Sequence, residues 1–342
     1  MAGPKNKKKT KDAKNPTVGE KHQTEHESPD PKRAKKEKQG DDETEDSPAL
    51  KVESAEKPGE EPEVPRNILE KGIIYFFVRG RVDVDNPTSV DDIARTYLLL
   101  RPIDKDARLG EGSLNDASNT RLLALPKKVL PQSGKDRFMI FVENPAASFK
   151  TIKETFLAGS EYTTKTAGTR HTPAATPAGE GIYAITMTGR ESHLVYMLTL
   201  PEKLGEVQKE IGIRDKASFI ISTKNPEYKG PPSAHFNQMP EFSKEIMDEF
   251  RCLRWLPTRP AHLDYSNAQM LLIGETSGIE KATEKQKDDE KEGKEDPKEA
   301  LENLEEEDLK RMRHLPGDQS ASIYADLEAD AKDYPKLKTK FE

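Results

Sequence analysis

The side chains best suited to chemistry in this 342-residue chain are concentrated between Glu161 and Gly181. Lys165, Thr166, Thr169, Arg170 and His171 offer ammonium, hydroxyl, guanidinium and imidazole donors in one short stretch, the set an anionic group needs for charge-assisted hydrogen bonds. Gly168 and Gly179 would let backbone amides approach a ligand closely. The sequence therefore predicts a site here for a small anionic or polar ligand. A small-molecule enzyme is a second reading of the same residues, with His171 as acid–base, Glu180 as its counterpart and Arg170 or Lys165 orienting an anionic substrate. A third is a long connector whose polar groups satisfy one another.

Other chemistry is thinly supplied. The seven histidines are scattered, and the one His-x-x-x-His pair, His22 and His26, stands in a polar stretch without aromatic residues, so no metal site is expected. A single cysteine, Cys252, excludes an internal disulfide, a multi-cysteine metal site and a two-thiol redox centre. Cys252 lies in the apolar-rich stretch Phe250–Trp255, where a buried structural thiol is expected. Ser192 and His193 are adjacent on a predicted strand and so face opposite ways, which rules them out as a nucleophile–base pair; His193 reads as a packed or edge residue. No Gly-rich phosphate loop and no dinucleotide fingerprint occurs. No cofactor is expected, no catalytic residue is assigned, and the balance leans away from an enzyme.

The elements that must position these residues read as follows. Gly72–Val78 is a continuous apolar, β-branched and aromatic run, the pattern of a strand covered on both faces. Tyr97–Leu100, Arg121–Leu125, Phe138–Val142 and Gln269–Ile273 predict further strands. Ser89-Val90-Asp91-Asp92 is a helix-start signal for one short turn. Ser148–Phe156 spaces its apolar residues as an amphipathic helix does. Residues 103–120 predict a polar loop, Pro201–Ile211 and Phe242–Phe250 helices.

Parts of this grammar recur. Gly181-Ile182-Tyr183 echoes Gly72–Tyr75, and Gly189-Arg190 echoes Gly80-Arg81. Tyr97 reaches Pro102, and Tyr196 reaches Pro201, across the same leucine-rich spacing. Phe138 runs to Asn144-Pro145 as Phe219 runs to Asn225-Pro226, and proline at a strand end is expected because it brings no amide to the ladder. The predicted fold class is α+β: an internally duplicated, strand-rich unit with packed helices between charged tails, its copies spanning about 70–158 and 180–275.

Residues 1–66 contain no Phe, Tyr or Trp and cannot bury enough apolar surface to offset chain entropy, so they are expected to be disordered. They begin basic and turn acidic, 67–276 is close to neutral, and the acidic tail 277–342 carries the chain's net charge of −7. A neutral globular core does not suggest specific nucleic-acid binding. Lys32, Arg33, Lys35, Lys36 and Lys38 form a basic cluster of the kind a nuclear import receptor reads, which predicts residence in the nucleus, or in nucleus and cytoplasm. No stretch is apolar enough to span a membrane. In the tail, Asp296-Pro297-Lys298-Glu299 opens a helix over about 297–313 with a thin stripe of Leu301, Leu304, Leu309 and Met312; a solvated, marginal helix is expected.

The stretch Thr164-Lys165-Thr166-x-Gly168-Thr169-Arg170-His171-x-Pro173-Ala174-Ala175-x-Pro177-Ala178-Gly179-Glu180-Gly181-x-Tyr183 resembles the signature of an uncharacterised family of fungal proteins with shorter prokaryotic relatives. The resemblance runs over the core, including Ser89–Asp92 and Lys224-Asn225-Pro226, and leaves out the tails. Fungal members are often labelled BTB-domain transcription factors, and that label implies a nuclear, partner-binding protein. Together these readings predict a non-enzymatic nuclear module that binds a protein or a small anionic ligand around residues 162–181.

Overall fold

In the computed structural model of the protein the described residues are 67–166, 168–229, 238–285, 295–315, 322–327 and 329. The basic cluster Lys32–Lys38, and the expectation of disorder over 1–66, lie outside them.

Strand β1 (Ile68–Gly80) is buried at every position from Gly72 to Val78, as a run with no polar face requires. It is joined by β2 (Ile93–Ile103), β3 (Thr120–Leu125), β4 (Arg137–Ala147), β5 (Ser160–Thr164), β6 (Gly168–Thr172), β7 (Ala175–Thr188), β8 (Glu191–Leu200), β9 (Lys216–Lys224), β10 (Trp255–Pro257) and β11 (Gln269–Gly274). Eight of these close into one antiparallel ring in the order β1-β2-β3-β4-β11-β9-β8-β7 and back to β1; β10 pairs with the end of β9 beyond the stretch that β8 covers, and β5–β6 is a separate hairpin. Closure leaves the eight strands without a free edge in the ring.

Alternation along the strands then sorts two cores. Ile74, Phe76, Leu98, Leu123, Tyr196 and Phe219 belong to the inner one, which fills the barrel. Ile73, Tyr75, Phe77, Leu99, Ile182 and Val195 belong to the outer one. Helix α1 (Phe149–Thr151), capped by Ser148, runs into a π-helical turn (Ile152–Leu157) that lays Phe156 edge-on against Phe77 and Tyr97, with ring centroids 5.3 and 5.0 Å apart. Helix α2 is confined to Glu206–Ile211, shorter than the predicted 201–211, because Pro201 still belongs to the end of β8's turn and Gly205 caps the helix. Helix α3 (Lys244–Phe250) is capped by Ser243.

The tail helix differs from expectation. Helix α4 (Pro297–Arg313) is not solvated: Leu301, Leu304, Asp308 and Arg311 are buried on the outer face of the barrel, followed there by Ile323, Tyr324 and Leu327 of α5 (Ser322–Asp326) and its end. The buried face runs 301-304-308-311, so it includes two charged residues that an apolar stripe does not count, whereas Leu309 is exposed. Arg311 is matched there by Asp308 and Asp326, at 2.9 Å to each.

Two meanders make the ring, β1–β4 and β7-β8-β9-β11, joined first strand to first and last to last. Two sequence echoes fall on matching strands, in β1 with β7 and β2 with β8. The third sets β4 against β9, the fourth strand of one meander against the third of the other. Pro145 also does not end its strand; β4 continues to Ala147 across an irregular ladder that needs no amide there.

Candidate functional site

The predicted ligand stretch is not one loop. Its first half is the β5–β6 hairpin, and from Ala175 onward it is β7, inside the ring. Lys165 and Thr166 are exposed at the hairpin turn, and Thr169 is exposed on β6. Arg170 and His171 do come together, but around two acids outside the predicted set. Arg170 Nη1 donates to Asp83 Oδ2 at 2.7 Å, the His171 amide donates to Asp83 Oδ1 at 2.9 Å, and His171 Nε2 lies 2.9 Å from Asp85 Oδ1. The His171 amide and the Arg170 side chain hold the Asp83 carboxyl below its usual range. Asp83 sits at φ +66°, so this is a turn whose strained residue is fastened from the hairpin.

Glu180 is elsewhere. It is buried in β7 between Tyr75 and Leu200, five positions and roughly 16 Å of strand beyond Ala175, where β7 begins. His171 and Glu180 therefore form no acid–base pair. Cys252, expected to be buried, is exposed: Phe250 ends α3 in the core, and Arg251 at φ +52° turns the chain outward. His193 is fully buried, with Nδ1 2.8 Å from Glu275 Oε2 and Nε2 2.7 Å from Thr188 Oγ1. Among the described residues no three His, Cys, Asp or Glu side chains gather as a metal site would require. No helix among them is long and apolar enough to cross a membrane.

A concave site forms instead at one mouth of the barrel. Inward-facing positions continue past the apolar core to the rim, and there they are charged: Glu70 on the face of Ile74, Arg121 on the face of Leu123. Arg121 Nη1 lies 2.6 and 2.7 Å from the two Glu70 oxygens, and its Nε and Nη2 donate to Asp264 Oδ1 at 3.2 and 2.7 Å. Asp264 closes the 3-10 turn Pro260–Asp264 that precedes β11. Tyr183 Oη completes the cluster, donating to Glu70 Oε1 at 2.7 Å. The ring of Tyr183 reaches it only because position 72 is glycine; a Cβ there would stand 2.8 Å from the ring and 2.1 Å from the Arg101 carbonyl oxygen.

Burial works against the Arg121 charge, but Glu70 more than offsets it and the guanidinium stays protonated. Burial, then the Glu70 charge, raises the Tyr183 phenol, which stays a donor. Above this floor opens a cavity of about 390 Å³, lined also by Asp104, Lys105, Ser118 and Asn119. Asn119 donates its amide to the Pro102 carbonyl at 3.1 Å, while its Oδ1 is buried with no partner. Sequence reasoning missed these residues because they are far apart in the chain; the available signal was a charge at the inward register of two apolar strands. No family model, curated protein or solved structure matches the chain.

Proposed function

We propose that the protein is a non-enzymatic binding module whose ligand, a small polar molecule, sits in the mouth of the barrel, and that it works in the nucleus. One observation carries the reading: the cavity of about 390 Å³ has a charged, fully paired floor and an unpaired buried acceptor in its wall. Its size falls within the range of roughly 300–1,000 Å³ usual for small-molecule sites, and barrel mouths are a common place for them. The floor favours holding over turning over a substrate, since each of its titratable groups is committed to another. Nuclear residence, read by an import receptor, is supported by the Lys32–Lys38 cluster and by the resemblance to fungal proteins labelled transcription factors; a protein partner belongs to the same proposal. The two meanders, joined by equivalent strands, favour an origin by internal duplication.

The test is equilibrium dialysis of the full chain against a polar metabolite extract, beside an Ala146→Trp variant. Ala146 is exposed at the cavity rim, so a large ring there obstructs entry without disturbing the core. Small molecules enriched by the wild type and lost in the variant are expected. Equal enrichment by both, or none by either, defeats the reading.

A further inference from the structure

The sequence predicts an anionic ligand; the geometry of the barrel mouth points the other way. We infer that the ligand presents a small cationic donor, an ammonium or amidinium group, to Asp264 and Asn119. This inference rests on the barrel-mouth reading and names the chemical class that site would take.

Two observations carry it. Every guanidinium nitrogen of Arg121 is already engaged, Nη1 with Glu70 and Nε and Nη2 with Asp264. An anion would have to compete with Glu70 and Asp264 for that charge. The buried atom left uncommitted in the cavity wall is an acceptor. Asn119 Oδ1 is buried and accepts nothing. Asp264 Oδ1 takes both Arg121 donors, so Oδ2 is left for another, and this side chain is 57% exposed toward an entering molecule. Asp104 adds a third carboxylate at the rim, against two cations, Arg121 and Lys105. Asp104 and Lys105 are both exposed and screened, so neither holds a ligand ion strongly and the choice falls to Asp264 and Asn119. A buried acceptor without a donor is costly, and a ligand N–H removes that cost.

The amide resonances of the full chain, followed by two-dimensional NMR, decide the matter with three probes of similar size: n-butylammonium, n-butanol and n-butyrate. Butylammonium should shift the amides of Asn119, Arg121 and Asp264 saturably, with butanol and butyrate weaker. Asp264→Asn keeps an oxygen for Arg121 while removing the charge, and should weaken butylammonium by about tenfold. The comparison of the three probes on the wild type stands even if that variant folds poorly. Butyrate binding best at the same amides overturns the cationic class and leaves the site in place. No saturable shift from any probe overturns both the class and the barrel-mouth reading. Binding unchanged in a well-folded Asp264→Asn also overturns the inference.

Discussion

Tyr75 Oη donates to Asp326 Oδ2 at 2.7 Å, joining the first strand of the barrel to a residue 251 positions away, near the end of the described chain. Asp326 also accepts from Arg311 Nη1 at 2.9 Å and from the Leu114 amide at 2.9 Å, and Arg311 Nε donates to Asp308 Oδ1 at 3.0 Å. Thr199 Oγ1 donates to Asp308 Oδ2 at 2.9 Å, so β1, β8, α4 and α5 meet in one polar cluster within the outer core. Removing the central carboxylate leaves the buried Arg311 guanidinium with Asp308 alone. Asp326→Ala should cost about 3–5 kcal/mol in urea unfolding, whereas Tyr75→Phe, which leaves the ion pair intact, should cost about 1 kcal/mol. Equal losses would mean that the cluster does not act as a unit.

At the opposite layer, Glu70 and Arg121 set up the same asymmetry inside the barrel mouth. Glu70→Leu alone leaves Arg121 with only the half-exposed Asp264, and a loss of about 3–5 kcal/mol is expected. Glu70→Leu with Arg121→Met should recover most of it, because two apolar side chains replace a desolvated pair. A double-mutant cycle in denaturant measures the coupling, and additive single losses would remove the pair from the account.

How much of this was readable beforehand follows residue type. Ile74, Phe76, Leu98 and Leu123 announced strands because an apolar run can only be covered on both faces, and local periodicity reports that directly. Lys165 to His171 showed their chemistry but not their partners: Asp83 and Asp85, on the far side of a strand connection, claim Arg170 and His171. The mouth cluster needs ring closure to exist, since Arg121 meets Glu70 across 51 positions and Asp264 across 143. No local pattern encodes such a meeting. Helix α4 shows a complementary failure. Its buried face depends on Asp308 and Arg311, which hydrophobic counting scores as solvent-facing, and only their mutual pairing makes burial tolerable.

His262 makes stability depend on pH with a defined sign. Its ring is buried beside Phe242 and Phe250, and Nδ1 lies 2.9 Å from Thr223 Oγ1. Burial lowers its pKa from the ordinary 6.5, with Glu249 opposing and Arg259 reinforcing the shift. The folded protein thus binds this proton less readily than the unfolded chain. Stability present above 6.5 is lost as pH falls through that value toward the lower folded one. Urea midpoints of the wild type should drop from pH 7 to pH 5, and a His262→Gln variant should lose part of that slope. An unchanged slope would assign the acid sensitivity to other groups.

Import is the prediction that separates the tails from the barrel. Lys32, Arg33, Lys35, Lys36 and Lys38 follow Pro31 directly, the kind of basic cluster that an acidic import-receptor groove reads. The looser lysines between Lys5 and Lys14 lie upstream and would offer a second, weaker contact. Exchanging the five basic residues for alanine should leave the barrel's unfolding transition in place. A fluorescent fusion of that variant should move from nucleus to cytoplasm, with a partial shift when only the upstream lysines are exchanged. If the five-residue variant stays nuclear while the upstream exchange releases it, the address lies in the first lysines and the Lys32–Lys38 assignment is wrong.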